Sequence, residues 1–384
     1  MKRLLSLALV PAALALVSAP ASACSLCASL QDQKTFREDA ALSKIILYGS
    51  FTGSAPGAGG TAGSSDFEIT AKLKTDAVLG DATTLKIPKY VPVTDAKNPP
   101  RYLLFADVYK GKPDYFRGTP VKSADAADYV KGVAAIDAKD RARVLRYCFD
   151  YLENSDPEIA NDAFLEFAKA TDKELGEVGP KLSPEKLRSW LKSDAKTPDN
   201  RLGLYAFLLG ACGTDADAAL FRKLIDEPTE RTKAAFDGIL GGYIHLRPKD
   251  GWDAALKVLQ DDKKPFTVRF AAVRTLRFYH NWKPEESKEN VMRGLKVILA
   301  QTDLSDMAVE DLRRWQIWDL TPDVLALYGK KGFDAPILRQ AILRYALSCP
   351  KSDKEVAAFL EDRRKQDPDA VKDADDALQF LKQK

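Results

Sequence analysis

Histidine is scarce in this sequence: only His245 and His280 occur among 384 residues. Because imidazole is the side chain that most often transfers protons or binds transition metals near neutral pH, two residues leave little material for histidine-based catalysis or a histidine-rich metal site. The Gly-x-Ser-x-Gly, His-Glu-x-x-His and dinucleotide-binding motifs are also missing. The sequence therefore favours a protein that is not an enzyme, and it predicts no cofactor and no metal site.

Long apolar runs occur only at the N-terminus. A basic start precedes the apolar segment Leu4–Val17, and Ala21-Ser22-Ala23 has the small residues of a cleavage site. This pattern predicts a signal peptide over residues 1–23. No later stretch reaches the roughly 18 apolar residues that a membrane-spanning helix needs. We therefore expect an exported protein, periplasmic or extracellular, with no membrane span after removal of the signal.

The net charge is small. Its formal value is +3, and removal of Lys2 and Arg3 with the signal peptide would leave about +1. Proteins that bind nucleic acid need a basic excess or a basic face to neutralise phosphates. The charge balance therefore argues against nucleic acid and favours a protein or peptide partner. The oligomeric state is not indicated.

Cysteine is also infrequent, and only Cys24 and Cys27 are close in sequence. A disulfide, redox exchange, metal binding, and lipid attachment to Cys24 as the first mature residue all remain open for this pair. One Cys-x-x-Cys without a nearby histidine is a poor zinc site, and no histidine follows Cys27 for haem attachment. The single cysteines Cys148, Cys212 and Cys349 lie on apolar helical stripes and are predicted to be buried thiols.

The region 24–132 has the pattern of a small β domain. Its strand candidates are rich in β-branched and aromatic residues, alternate with period two or are apolar throughout, and are separated by turn signals. These features predict a small antiparallel barrel or sandwich. The predicted strands are Lys44–Phe51, Asp66–Leu73, Thr83–Ile87 and Arg101–Tyr109, the last buried on both faces. Lys110-Gly111-Lys112 predicts a hairpin from there toward Asp114–Phe116, so the strands number four or five.

The order of motifs in this domain is Cys24-x-x-Cys27, a short helix within Gln33–Leu42, Ile45-Ile-Leu-Tyr-Gly49, a long hairpin to Phe67-Glu-Ile69, and Tyr102-Leu-Leu-Phe-Ala106. This order resembles netrin-like OB barrels, which include the tissue inhibitors of metalloproteinases. The resemblance implies an OB-like fold. For an inhibitor, it implies that the free amine and carbonyl oxygen of Cys24 would bind a protease zinc. In the inhibitors, however, Cys-x-Cys pairs with later cysteines of the domain, and this chain has none between Cys27 and Cys148.

From Lys139 onward the apolar period is helical. Prolines typical of helix starts recur, mostly at intervals of roughly 30 to 41 residues, and a proline-free unit at Met307–Leu320 fits the last, longer gap. These prolines are Pro157, Pro198, Pro228, Pro265 and Pro336. Four of them are followed three or four residues later by an arginine: Arg201, Arg231, Arg269 and Arg339.

Helical pairs of this length, opened by aspartate or proline and followed by arginine, resemble HEAT-type repeats. The resemblance implies a ladder of hydrogen bonds between aspartate and arginine of adjacent units, and a concave binding surface. One helical pair cannot bury its apolar faces alone, so neighbouring units must stack. The expected fold is therefore α+β, mainly α: an OB-like antiparallel β domain at 24–132 followed by an α-solenoid-like helical repeat array at 133–384.

Asp311–Leu320 is the most unusual helical segment. Trp315 and Trp318 lie on helical spacing with Leu312, which predicts core positions with a partly exposed edge. Together with Arg314 they also form an arginine–tryptophan cluster, and these residue types carry much of the binding energy at protein interfaces. We therefore take Arg314, Trp315 and Trp318 as candidate partner-binding residues.

These observations predict an exported, non-enzymatic binding or scaffolding protein of the cell envelope, whose helical array and β domain hold a protein or peptide. Two other hypotheses depend on the N-terminal cysteines. A thiol-redox or metal-binding protein would expose Cys24 and Cys27 as readily alkylated thiols. A metalloproteinase-inhibitor-like protein would lose its binding when one residue is added before Cys24.

Overall fold

The computed structural model describes residues 33–57, 63–192 and 199–382. The predicted signal peptide, the pair Cys24 and Cys27, and Pro198 lie outside the described residues. A five-stranded antiparallel sheet precedes most of the helices, which confirms the α+β, mainly α class. Among the described helices, none combines the length and hydropathy that crossing a bilayer requires.

The sheet contains the four predicted strands and a fifth that follows a tight turn. Lys110 and Gly111 have φ values of 49° and 72°, and two successive left-handed residues form the turn that best matches the twist of a two-residue hairpin. The strand order is β3-β2-β1-β4-β5, so β3 and β5 are the sheet edges. The strands are β1 Ile45–Ala55, β2 Ser64–Lys74, β3 Thr84–Ile87, β4 Arg101–Tyr109 and β5 Lys112–Val121.

Strand β4 is buried on both faces, as its apolar sequence predicts. Leu103 and Phe105 belong to the core shared with the helices, whereas Leu104 and Ala106 belong to a smaller core under the connections between β2 and β4. This division follows from the alternation of side chains along a strand. One face of the sheet is therefore the contact surface for the helical part.

Eighteen α-helices are described. The helix α1 precedes the sheet, α2 follows it, and the others form the remainder of the chain. Their bounds are α1 Phe36–Leu42, α2 Asp125–Ala134, α3 Arg141–Phe149, α4 Pro157–Ala168, α5 Asp172–Val178, α6 Pro184–Lys192, α7 Asp199–Cys212, α8 Asp215–Asp226, α9 Glu230–Ala234, α10 Phe236–Leu246, α11 Pro248–Gln260, α12 Phe266–Trp282, α13 Pro284–Leu299, α14 Ser305–Arg314, α15 Thr321–Leu325, α16 Pro336–Ser348, α17 Lys354–Gln366 and α18 Pro368–Lys382.

The later helices pack in two layers. Helices α7, α10, α12, α14 and α16 follow one another in the first layer, and α8, α11, α13 and α18 pack against them in the second. Pro157 and Pro336 begin helices and Pro265 immediately precedes one, as predicted. Prolines also begin helices of the second layer, such as α11 and α13. A proline therefore marks a helix start here, but it does not mark the start of a repeat.

The start of α4 connects the sheet to the helices through Asp156. This buried carboxylate accepts hydrogen bonds from the backbone N–H groups of Glu158 at 3.1 Å, Lys122 at 2.6 Å and Ser123 at 2.9 Å. The first bond caps α4, which confirms the helix start predicted from Asp156-Pro157. The other two fix the chain as it leaves β5.

A second connection is Asp162, which is buried on α4. It accepts a hydrogen bond from the Phe36 N–H at 2.6 Å and one from the Tyr129 hydroxyl at 2.8 Å. Burial raises the pKa of Asp162 to about 7, because both hydrogen bonds together only partly offset the loss of solvation. Helices α1, α2 and α4 are thus joined by one carboxyl group.

Glu166, one turn further along α4, is buried but paired. It accepts hydrogen bonds from Arg37 at 2.9 Å and Arg141 at 2.7 Å. Burial by itself would raise the pKa of Glu166, but the two guanidinium groups outweigh it and hold the pKa below its ordinary value. The boundary predicted between residues 132 and 133 falls within α2, whose buried residues belong to a core that continues from the sheet into the later helices.

Candidate binding groove

Helix α14 ends at Arg314, so the prediction of one helix through Asp311–Leu320 is wrong. The reason is Gln316, whose φ of 56° lies in the left-handed region and turns the chain out of the helix. Glycine is the usual residue at this position, and glutamine gives no comparable signal in a sequence. Trp315 and Trp318 consequently lie on an irregular segment and not on one helical stripe.

Hydrogen bonds fix the end of α14. The Gln316 N–H donates to the Arg313 carbonyl at 3.2 Å, and the Ile317 N–H donates to the Leu312 carbonyl at 2.9 Å. The second bond spans five residues, as in the Schellman helix end. A left-handed conformation costs a non-glycine residue roughly 1–2 kcal/mol. Non-glycine residues held in a left-handed conformation cluster at functional sites, so Gln316 identifies this segment as a candidate site.

Trp318 is held by the neighbouring helix α16. Its ring lies edge-on to Tyr345, with centroids 5.1 Å apart and an interplanar angle of 65°. The Tyr345 hydroxyl donates a hydrogen bond to the Ile317 carbonyl at 3.1 Å and lies 2.9 Å from the Thr321 hydroxyl. These contacts orient the half-buried indole before any partner arrives, which lowers the entropy cost of binding.

An open groove of about 850 Å³ lies where α14, α16 and α18 end. This volume is within the range of roughly 300–1,000 Å³ that is usual for ligand sites. Its apolar lining comes from Trp318, Leu347, Leu378 and Leu381. Its polar and small lining residues are Arg313, Arg314, Gln316, Ser348, Cys349, Pro350 and Lys351.

The charge of the groove is positive. Glu310 accepts hydrogen bonds from both Arg313 at 2.9 Å and Arg344 at 2.7 Å, so one carboxylate is shared by two guanidinium groups. Arg314 and Lys351 are exposed, and neither has a carboxylate within 4.0 Å in the described part of the chain. No acidic side chain is among the described residues that line the groove.

Trp315 has a different position from the other two candidate residues. Its ring stacks on His280 of α12, with centroids 3.8 Å apart and an angle of 21°, and it does not line the groove. Loss of solvation lowers the pKa of His280, so the imidazole is neutral at pH 7. Trp315 therefore joins α14 to α12, whereas Arg314 and Trp318 meet at the groove.

Two of the four predicted ladder arginines connect neighbouring units. Arg201 of α7 is buried and donates to the Asn161 side chain of α4 at 2.6 Å. Arg269 of α12 is also buried, and it donates to Asp303 at 2.9 Å and to Gln301 at 2.6 Å, both just before α14. Asp303 and Gln301 carry no sequence signal that could have identified them as partners.

The other two ladder arginines differ. Arg231 is partly buried at the start of the short helix α9. Arg339 is exposed, and its nearest carboxylate in the described residues is Asp334 of the same unit at 4.0 Å. An inter-unit contact that the sequence analysis missed is Arg277 of α12 with Asp311 of α14 at 2.7 Å. Inter-helix pairing of arginine with acidic residues therefore occurs, but only partly at the predicted positions.

The three single cysteines are free thiols, with Cys148 and Cys349 buried and Cys212 half-buried. Burial raises the pKa of both Cys212 and Cys349 to about 11. These thiols are consequently protonated and unreactive at neutral pH. Across residues 33–57, 63–192 and 199–382, no three histidine, cysteine or acidic side chains are grouped so as to hold a metal ion.

The two histidines are engaged in aromatic packing. His245 of α10 lies against Phe207 and Trp282, with ring centroids 5.6 Å and 4.9 Å away, and burial lowers the pKa of His245 to about 4.

Comparison with known proteins gives no independent indication of function. No protein-family model matches the chain, and no curated protein matches its sequence.

Proposed function

We propose that this chain is an exported, non-enzymatic binding protein of the cell envelope, which holds a protein or peptide partner on its helical array. The observation that carries the proposal is the groove at the ends of α14, α16 and α18. It combines an oriented tryptophan, Trp318, with the exposed cation Arg314. Tryptophan and arginine are the residue types most enriched among those that dominate binding energy.

The architecture supports this proposal. Two packed helical layers with arginine contacts between units fit a HEAT-type array, and such arrays provide extended binding surfaces. The strand order fits an OB-like five-stranded barrel that is open between β3 and β5. The N-terminal sequence supports export. The redox and inhibitor hypotheses depend on Cys24 and Cys27, which lie outside the described residues.

The left-handed Gln316 gives a further reason to place the binding site here. Its backbone strain persists although glycine at the same position would relieve it. A glutamine side chain at this point adds a hydrogen-bond donor and an acceptor to the groove. The strained backbone thus places hydrogen-bonding groups at the surface where a partner would bind.

Site-specific photo-cross-linking in the producing cell tests the proposal. Benzoylphenylalanine at position 316 should give a discrete, ultraviolet-dependent adduct of the exported protein, because a bound partner would lie within reach of this residue. The matched control is benzoylphenylalanine at Lys288, an exposed position on α13. Equal labelling at both positions, or no adduct at position 316, would contradict the proposed binding role of the groove.

A further inference from the structure

We propose that the groove binds an acidic peptide segment that also carries a large apolar side chain. This inference rests on the proposed function and specifies the chemistry of the partner. It follows from two features that meet in one place: a surplus of cations around the groove and an apolar floor beneath them.

Positive charge exceeds negative charge among the described side chains at the groove. The cluster of Arg313, Arg344 and Glu310 carries one net positive charge, and the exposed side chains of Arg314 and Lys351 add two more. Three helices end beside the groove, and each helix C-terminus contributes about half a negative charge. The cations therefore exceed the opposing dipoles, and a carboxylate-bearing segment gains attraction on approach.

The acidic residue closest to Lys351 in sequence lowers this surplus by one charge, but it is engaged elsewhere. Asp353 follows Lys351 by two residues, but its carboxylate accepts hydrogen bonds from the N–H groups of Glu355 at 3.0 Å and Val356 at 3.2 Å. It is thus occupied in capping α17. Arg314 and Lys351 are left to interact with an incoming anion.

The apolar floor of the groove, formed by Trp318, Leu347, Leu378 and Leu381, favours a ligand that has an apolar part over a purely ionic one. Trp318 presents its ring, and Leu381 is 47% exposed at the edge of the groove. An apolar side chain bound here removes its own surface and that of the floor from water, which is worth about 25 cal/mol per Å². A peptide supplies both carboxylates and such a side chain.

Nucleic acid fits less well, although it is also anionic. Its affinity comes from neutralising many phosphates along an extended basic surface. Here the described lining of the groove contains two unpaired cations, Arg314 and Lys351, and the whole chain has a formal net charge of only +3. An acidic peptide therefore fits the groove better, and an oligonucleotide serves as a comparison probe in the test.

Fluorescence anisotropy with the full mature chain tests the proposal. The probe is a fluorescein-labelled peptide, Glu-Asp-Leu-Phe-Asp-Glu, with a blocked C-terminus. Two comparison probes are its amide counterpart, Gln-Asn-Leu-Phe-Asn-Gln, and a labelled oligothymidylate. The acidic peptide should bind at least about tenfold more tightly than the amide peptide, and its affinity should fall as salt is added.

Matched double variants locate the binding. Arg314→Glu with Lys351→Glu should weaken binding of the acidic peptide by at least about tenfold, because both cations are replaced by repelling charges. Lys288→Glu with Arg293→Glu makes the same change in net charge on exposed positions of α13 and should leave the affinity within about twofold. Trp318→Leu should weaken binding of both hexapeptides, since it removes part of the floor. Thermal melts of each variant establish that it is folded.

Three results would overturn the inference: equal binding of the amide peptide, tighter binding of the oligonucleotide, or equal weakening by the α13 control. Photo-adducts at position 316 without affinity for the acidic peptide would show that the groove binds a partner of different chemistry. The proposed function would then stand while this inference fails. Loss of both signals would reject both.

Discussion

At the scale of single residues, substitutions of Gln316 can measure the energetic cost of its backbone conformation separately from the contribution of its side chain. Its φ of 56° is unfavourable for glutamine and free of strain for glycine. We predict that Gln316→Gly raises the free energy of unfolding by about 0.5–1 kcal/mol, as expected when the left-handed end of a helix receives glycine. Urea denaturation monitored by circular dichroism would measure the change.

Gln316→Ala is the matched control for this prediction. Alanine also loses the amide but retains a Cβ atom, so the left-handed strain persists and no stabilisation is expected. An equal gain in the alanine variant would mean that the glutamine side chain, and not the backbone conformation, is the source of the destabilisation.

Residue chemistry also explains which site predictions could be made from the sequence. Arg314 and Trp318 were identifiable because arginine and tryptophan are characteristic of interfaces. Their separation from Trp315 was not, because it depends on one left-handed glutamine. The partners of Arg269 were equally hidden, since Gln301 and Asp303 are more than thirty positions away and reach it only through the packing of α12 on α14.

At the scale of helices, α7 and α10 cross with their backbones in close contact. The carbonyl oxygen of Ala206 lies 2.2 Å from the place where a Cβ atom on Gly242 would be built. The preceding residue, Gly241, has only Phe207 nearby, at 3.8 Å. Two adjacent glycines on one helix thus have opposite environments, and they form a matched pair.

We predict that Gly242→Ala lowers the free energy of unfolding by about 3 kcal/mol, because the added methyl group pushes the α7 backbone away from α10. Gly241→Ala should raise it by about 0.5–1 kcal/mol, since alanine favours a helix and has space here. Chemical denaturation of the two variants side by side measures both signs. Equal effects would show that the close crossing of α7 and α10 does not determine stability at this position.

Elements with strong local signals were predictable, and those set by packing were not. Strand β4 is apolar enough to be buried on both faces, and Asp156-Pro157 contains the cap and the first turn of α4, so both were found. The α7–α10 crossing depends on Gly210 and Gly242, whose close approach is visible only when distant helices meet. Proline positions likewise gave helix starts but not the assignment of helices to layers.

At the scale of the whole molecule, two buried groups oppose each other as pH changes. The pKa of Asp162 is raised to about 7 in the folded state, so the folded protein keeps a proton that the unfolded chain loses above about pH 4. The contribution of Asp162 to stability therefore falls as the pH rises from about 4 to about 7. The pKa of His245 is lowered to about 4, so its contribution falls as pH drops from about 6.5 to 4. The two slopes overlap and largely cancel.

Substituting Asp162 and His245 separately should reveal the pH dependence of the free energy of unfolding that each group contributes. With Asp162→Asn, the free energy of unfolding should rise between pH 4.5 and 6.5, because the slope from His245 is no longer opposed by that from Asp162. With His245→Phe, it should fall over the same range, since the slope from Asp162 is no longer opposed by that from His245. Each slope should total on the order of 2–4 kcal/mol, given about 1.4 kcal/mol per pKa unit.

Thermal and urea unfolding at half-unit pH steps would measure these slopes, with the double variant as the control. Asparagine retains an oxygen that can accept the hydrogen bond from the Phe36 N–H, and phenylalanine replaces one aromatic ring beside Phe207 with another. The double variant should have a smaller slope between pH 4.5 and 6.5 than either single variant, because the raised pKa values of Asp237, Asp306 and Asp311 and the lowered pKa of His280 act in opposite directions. A slope in the double variant as steep as that of a single variant would show that another group controls the stability of the joined sheet and helices.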